Sequence, residues 1–86
     1  MIARVEVLWE DQPGTPMIEP GLVEDASFGG AGIHLDKPLP VGTNLTIRVR
    51  QQDYPGIVRH CRPAGGGYFA GIEWTGPSAP WARRRG

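Results

Sequence analysis

The chain has 86 residues, enough for one small domain with a single core. Nine basic and nine acidic residues cancel, which excludes the strong net field that draws a domain to a nucleic-acid backbone or an anionic membrane. Thirteen glycines and nine prolines are too many for a helical bundle, and 40% hydrophobic residues are enough to escape disorder, so short strands joined by tight turns are expected.

Residues 3 to 9 alternate, with Ala3, Val5, Val7 and Trp9 on one face and Arg4, Glu6 and Leu8 on the other, the pattern of a half-buried strand. Asp11-Gln12-Pro13-Gly14 turns the chain into a second strand from Met17 to Glu24, where Pro20-Gly21 requires an edge position or a bulge. After a polar loop, Ala31, Ile33 and Leu35 alternate with Gly32, His34 and Asp36 in a third strand. The connection from Pro38 to Thr43 leads to a fourth, with Leu45, Ile47 and Val49 inward and Thr46, Arg48 and Arg50 outward. Gln51-Gln52-Asp53 marks the next turn, before a strand from about Pro55 to Arg62 whose facing is ambiguous. Pro63 to Gly67 forms a hairpin connection, and the last strand, Tyr68 to Trp74, sets Tyr68, Ala70, Ile72 and Trp74 on one face. Six short antiparallel strands in so few residues would leave exposed edges as a flat sheet. Closure into a small six-stranded antiparallel β-barrel over residues 1–75 is the expected all-β fold, followed by a loose, basic C-terminal tail over 76–86.

Cys61 is the only cysteine, so no internal disulfide can form and a reducing cytoplasm is expected. His34 and His60 lack the spacing of a metal site. The first residues lack the apolar run of a signal peptide, and no segment approaches the length of a membrane span. No nucleophile and base, carboxylate dyad or metal constellation appears, so an enzyme is not expected. An oligonucleotide-binding barrel would want a basic face with interleaved aromatics, and the zero net charge speaks against it.

The most informative stretch is residues 23 to 35, where Asp25, Ser27 and Gly30 take the spacing D-x-S-x-x-G. Asp and Ser can read polar ligand edges from a turn, and Gly30 lacks the Cβ that would hold a ligand off the backbone. The same residue types also build an ordinary turn between strands. Eight of the nine basic residues are arginine, whose planar fork holds phosphate at two points and stacks on rings.

Over residues 4 to 74 the chain resembles the PilZ domain family of bacterial cyclic di-GMP receptors. The resemblance rests on Asp25, Ser27 and Gly30 together with Leu39-Pro40-Val41-Gly42-Thr43, Gly56-Ile57-Val58-Arg59 and Gly67-Tyr68-Phe69-Ala70-Gly71-Ile72-Glu73-Trp74, in that order. It implies a six-stranded barrel that holds the nucleotide between the D-x-S-x-x-G surface and an R-x-x-x-R motif ahead of the first strand. Arg4 aligns with the second arginine of that motif, and the first would fall before Met1.

By this resemblance Asp25 accepts hydrogen bonds from a guanine, Ser27 donates to a phosphate or base oxygen, and Gly30 permits backbone approach. His60 and Arg62 lie on the strand that often supplies a stacking group in the family. No cofactor is expected, cyclic di-GMP being the ligand. Trp9, Trp74 and Phe69 are read as core or rim packing, and His34, Arg48 and Arg50 are given no role. Trp81 either covers a barrel end or contacts a partner, and Arg83, Arg84 and Arg85 could stand in for the absent arginine only if the tail folds back. The expected function is a cytoplasmic cyclic di-GMP-binding regulatory module, weakened by the incomplete arginine motif and acting on a protein partner or fused domain. The alternative is a degenerate PilZ barrel that works through protein contacts alone. Neither reading involves DNA, RNA or membrane insertion.

Overall fold

A computed structural model of the chain describes residues 3–76. Of the tail expected over 76–86, residues 77–86, with Trp81 and Arg83 to Arg85, lie outside the described residues. The alternating segments form six strands: β1 (Ala3–Gln12), β2 (Thr15–Ala26), β3 (Gly30–Leu35), β4 (Asn44–Val49), β5 (Gln52–Ala64) and β6 (Gly67–Trp74). All pair antiparallel, and the order β1-β2-β3-β6-β5-β4 closes through β1 and β4 into the expected barrel.

The inward rows are those of the sequence pattern: Val5 and Val7 from β1, Ile33 and Leu35 from β3, Leu45 and Ile47 from β4, and Ala70, Ile72 and Trp74 from β6. Val7, Ile33, Ile47, Val58 and Ala70 are completely buried, and Leu39 of the β3–β4 connection closes one end. Branched aliphatic side chains suit a pleated wall and fill an interior this narrow. Trp9 packs partly against the core, as expected for a rim residue.

Several boundaries differ from those read in the sequence. The β1–β2 hairpin runs further, to a turn at Pro13-Gly14 in which Gly14 takes a φ of +86°. β5 starts at Gln52 rather than near Pro55, so Tyr54 is a core residue, edge-on to Trp74 with ring centroids 6.4 Å apart. The preceding turn is Arg50-Gln51, closed by the Val49 and Gln52 pair, and both turn residues have positive φ, 52° and 70°. Arg50 therefore sits in a turn and not on the outer wall of β4. Pro20 occupies an edge, as its chemistry demands: β2 meets β3 only from Leu22 onward, so Thr15 to Gly21 pair with β1 alone.

Candidate functional site

Strict alternation would bury the wrong residues in two strands. In β2, Gly21 and Val23 point inward, so an unbroken strand would carry Asp25 into the core. A bulge between Val23 and Asp25 makes Glu24 the extra residue and pairs Asp25 with Gly32, on the outer face. In β5, Tyr54, Gly56 and Val58 point inward, so His60 and Arg62 would follow them. A second bulge, between Val58 and His60, makes Arg59 the extra residue and turns both outward. This resolves the ambiguous facing of β5.

The two corrected strands meet across β3 and β6. Asp25 pairs with Gly32, Gly32 with Gly71, and Gly71 with His60, giving one cross-strand row whose two middle members have no side chain. Neighbours fold over that gap: a Cβ on Gly32 would meet Phe69 Cζ at 2.3 Å, and one on Gly71 would meet His60 Nε2 at 2.2 Å. The result is a shallow depression of about 290 Å³, lined by Asp25, Gly32, Arg59, His60, Phe69 and Gly71 among others.

Phe69 is not a core residue. It faces outward from β6, half-buried, with the Arg62 guanidinium 5.0 Å from its ring centroid and the His34 ring edge-on at 5.0 Å. A guanidinium over a ring face is attracted by the ring quadrupole, so Arg62, Phe69 and His34 form one packed cluster on the outer face. His34 also contacts Glu24, Nε2 to Oε1 2.5 Å. The alternation of Tyr68, Ala70, Ile72 and Trp74 already places Phe69 outside. Its hydrophobicity alone suggested otherwise.

Ser27 lies in the turn between β2 and β3, and Gly30 ends that turn as the first residue of β3. The Ser27 N–H donates to the Gly30 carbonyl at 2.8 Å, and Trp74 pins the turn from β6, its backbone N–H to the Gly29 carbonyl (3.0 Å) and its indole N–H to the Ser27 carbonyl (3.1 Å). The Ser27 hydroxyl is exposed, with a long 3.4 Å contact to the Gly30 carbonyl. Gly30 has a packing role that the motif did not reveal: a Cβ there would stand 2.1 Å from the carbonyl oxygen of Ile72.

Arg4 stands apart from Asp25. It lines a second depression with Leu22, His34, Asp36 and the Ala64 to Gly67 turn. In register, Arg4, Leu22, His34, Phe69 and Arg62 form one outward row across five strands. Its ends are separated by four inter-strand spacings, about 19 Å along the curved wall. Of the residues singled out in the sequence, Asp25 and His60 share a depression. Arg62 flanks it through Phe69, Ser27 and Gly30 hold the adjoining turn, and Arg4 sits beyond His34.

The charged pairs on this wall are exposed: Arg59 Nε to Glu73 Oε1 at 2.5 Å beside the depression, and Arg48 Nε to Asp53 Oδ1 at 2.8 Å away from it. The Arg48 hydrogen bond holds the Asp53 carboxyl below its ordinary range, and the same bond raises Arg48. Among the described residues no group of three or more His, Cys, Asp or Glu side chains could hold a metal ion. None of them forms a helix long and apolar enough to cross a membrane.

No curated protein and no solved structure matches the chain. A family model does, that of the PilZ domain, over residues 3–83, which takes in all six strands and every residue of the site above. The closed six-stranded barrel, with its D-x-S-x-x-G turn beside the outward row of Asp25 and His60, therefore belongs to the PilZ domain family.

Proposed function

We propose that this PilZ domain binds cyclic di-GMP on its outer wall and passes that occupancy to a protein partner or a fused domain, in the bacterial cytoplasm. PilZ domains are regulatory binding modules known for this ligand, which sets the class. The observation that carries the reading is the pair of bulges at Glu24 and Arg59. They take Asp25, His60 and Arg62 out of the phase that would bury them and set Asp25 and His60 on a glycine-floored depression, with Arg62 over the Phe69 ring beside it.

In this reading a guanine lies along Gly32 and Gly71, where no side chain keeps it from the backbone, and presents its N–H and amino edge to the Asp25 carboxylate. Phe69 and Arg62 supply ring and guanidinium faces beside it, and Ser27 offers a hydroxyl at the turn. Arg4, across His34, meets a more distant part of the ligand and weakens binding less when removed. Calorimetric titration with cyclic di-GMP tests this. Saturable binding by the wild type, lost in Asp25→Ala and reduced in Arg4→Ala, is the expected result. No heat of binding in the wild type would refute it and favour a barrel that acts through protein contacts alone.

A further inference from the structure

We infer that Arg59 is the phosphate-binding cation of the Asp25 depression, and that Glu73 holds it as a latch which a cyclic dinucleotide must displace. The inference rests on the cyclic di-GMP reading above and adds to that site a residue and a means of setting its affinity.

Position singles out Arg59. It is the extra residue of the β5 bulge, between the pairs Val58 with Ile72 and His60 with Gly71, so no cross-strand partner fixes it in the ladder. Among the described arginines it is the one that lines the depression containing Asp25. Arg4 and Arg62 line other depressions, Arg48 is held by Asp53, and Arg50 is in a turn. A phosphodiester entering beside Asp25 meets a carboxylate, and a neighbouring cation must offset that repulsion.

The contact with Glu73 has the properties of a latch. It uses Nε, which leaves both terminal nitrogens of the guanidinium for an acceptor. Both side chains are more than half exposed, 58% and 54%, so the pair is weakly held, whereas a forked arginine–phosphate contact is among the stronger hydrogen-bonded pairs. Glu73 is also placed to report the exchange. It pairs with Gly30 of the motif on one side, and its neighbour Trp74 holds the Ser27–Gly30 turn.

Two substitutions that break the same ion pair should move affinity in opposite directions. In calorimetric titrations of the full chain with cyclic di-GMP, Arg59→Ala is expected to weaken binding by about 10- to 100-fold, the loss of one charge-assisted contact. Glu73→Gln is expected to tighten it by about two- to fivefold, the release of an exposed ion pair. Circular dichroism should show both variants folded, since neither side chain is in the core. Wild-type affinity in Arg59→Ala overturns the inference and leaves the ligand reading intact. Weakened binding in both variants also overturns it, because the pair would then be a brace for the wall. A wild type that does not bind removes both.

Discussion

Gly30→Ala should unfold this domain far more readily than Gly29→Ala, although the two glycines are adjacent where the β2–β3 turn enters β3. At Gly30 the new Cβ would lie 2.1 Å from the Ile72 carbonyl oxygen, and non-bonded carbon and oxygen need roughly 3 Å, so the β3–β6 contact must open by about 1 Å. The obstacle is backbone, which cannot swing aside as a side chain can. Opening there pulls on the three hydrogen bonds that fasten the turn, Ser27 to Gly30, Trp74 to Gly29, and the Trp74 indole to Ser27. At about 1 kcal/mol each, two or three lost bonds destabilise the fold by about 2–3 kcal/mol. For a domain of this size that lowers Tm by roughly 10–20 °C. A Cβ on Gly29 meets nothing within 4 Å, and its φ is not in the left-handed region, so Gly29→Ala should stay within about 0.5 kcal/mol of the wild type. Thermal unfolding followed by circular dichroism measures both. Equal Tm values for the two variants would show that the β3–β6 approach is not what requires a glycine in the motif.

In Gly71→Ala the three atoms nearest the new Cβ all belong to the His60 ring, the free end of an exposed side chain, so Tm should change by less than about 4 °C while the His60 imidazole resonances shift in NMR spectra. Unmoved resonances would mean that His60 does not cover Gly71. Gln51→Gly should raise stability in urea unfolding by about 0.5–1 kcal/mol, because a residue at φ 70° is replaced by one without a Cβ to crowd the backbone. The Asp53 carboxyl, held below its ordinary 3.8 by the Arg48 hydrogen bond, binds protons less readily folded than unfolded. Its stabilising contribution is therefore complete above about pH 5 and is lost as pH falls through the lowered folded value. Asp53→Asn should accordingly lose less stability than the wild type between about pH 6 and pH 3, read as the shift of the urea midpoint.

The barrel was legible because period-two alternation names the inner face of a strand without knowledge of its neighbours. Val5 with Val7, Ile33 with Leu35, and Ala70 with Ile72 all lie where that rule puts them. What the rule cannot register is an extra residue, since a bulge is a relation between two strands and leaves no mark in the composition of either. Asp25 and His60 were therefore identified by type and spacing, while their joint position on one row waited on the register. The turn lies at Arg50-Gln51 and not at Gln51 to Asp53, a difference with a related cause: neither residue is the Asn or Gly that normally marks two successive positive φ angles. Arg59 was visible only as the end of a family motif, and its place beside Asp25, outside the strand register, emerges with the bulge.

From Thr15 to Gly21, β2 is paired with β1 alone, which leaves an interval of open sheet edge in the wall. An edge of that kind recruits strands from other molecules, and Ile18, 57% exposed, would reward such an encounter. Pro16 and Pro20 sit four residues apart, at the same phase of the ladder, and neither has an N–H to offer an incoming chain. Between them, Glu19 is tied to Lys37 at 3.1 Å, which puts a charged pair on the same stretch of strand. The prolines that interrupt the strand pattern thus withhold two backbone donors from the open edge and make it a poorer template for strand addition.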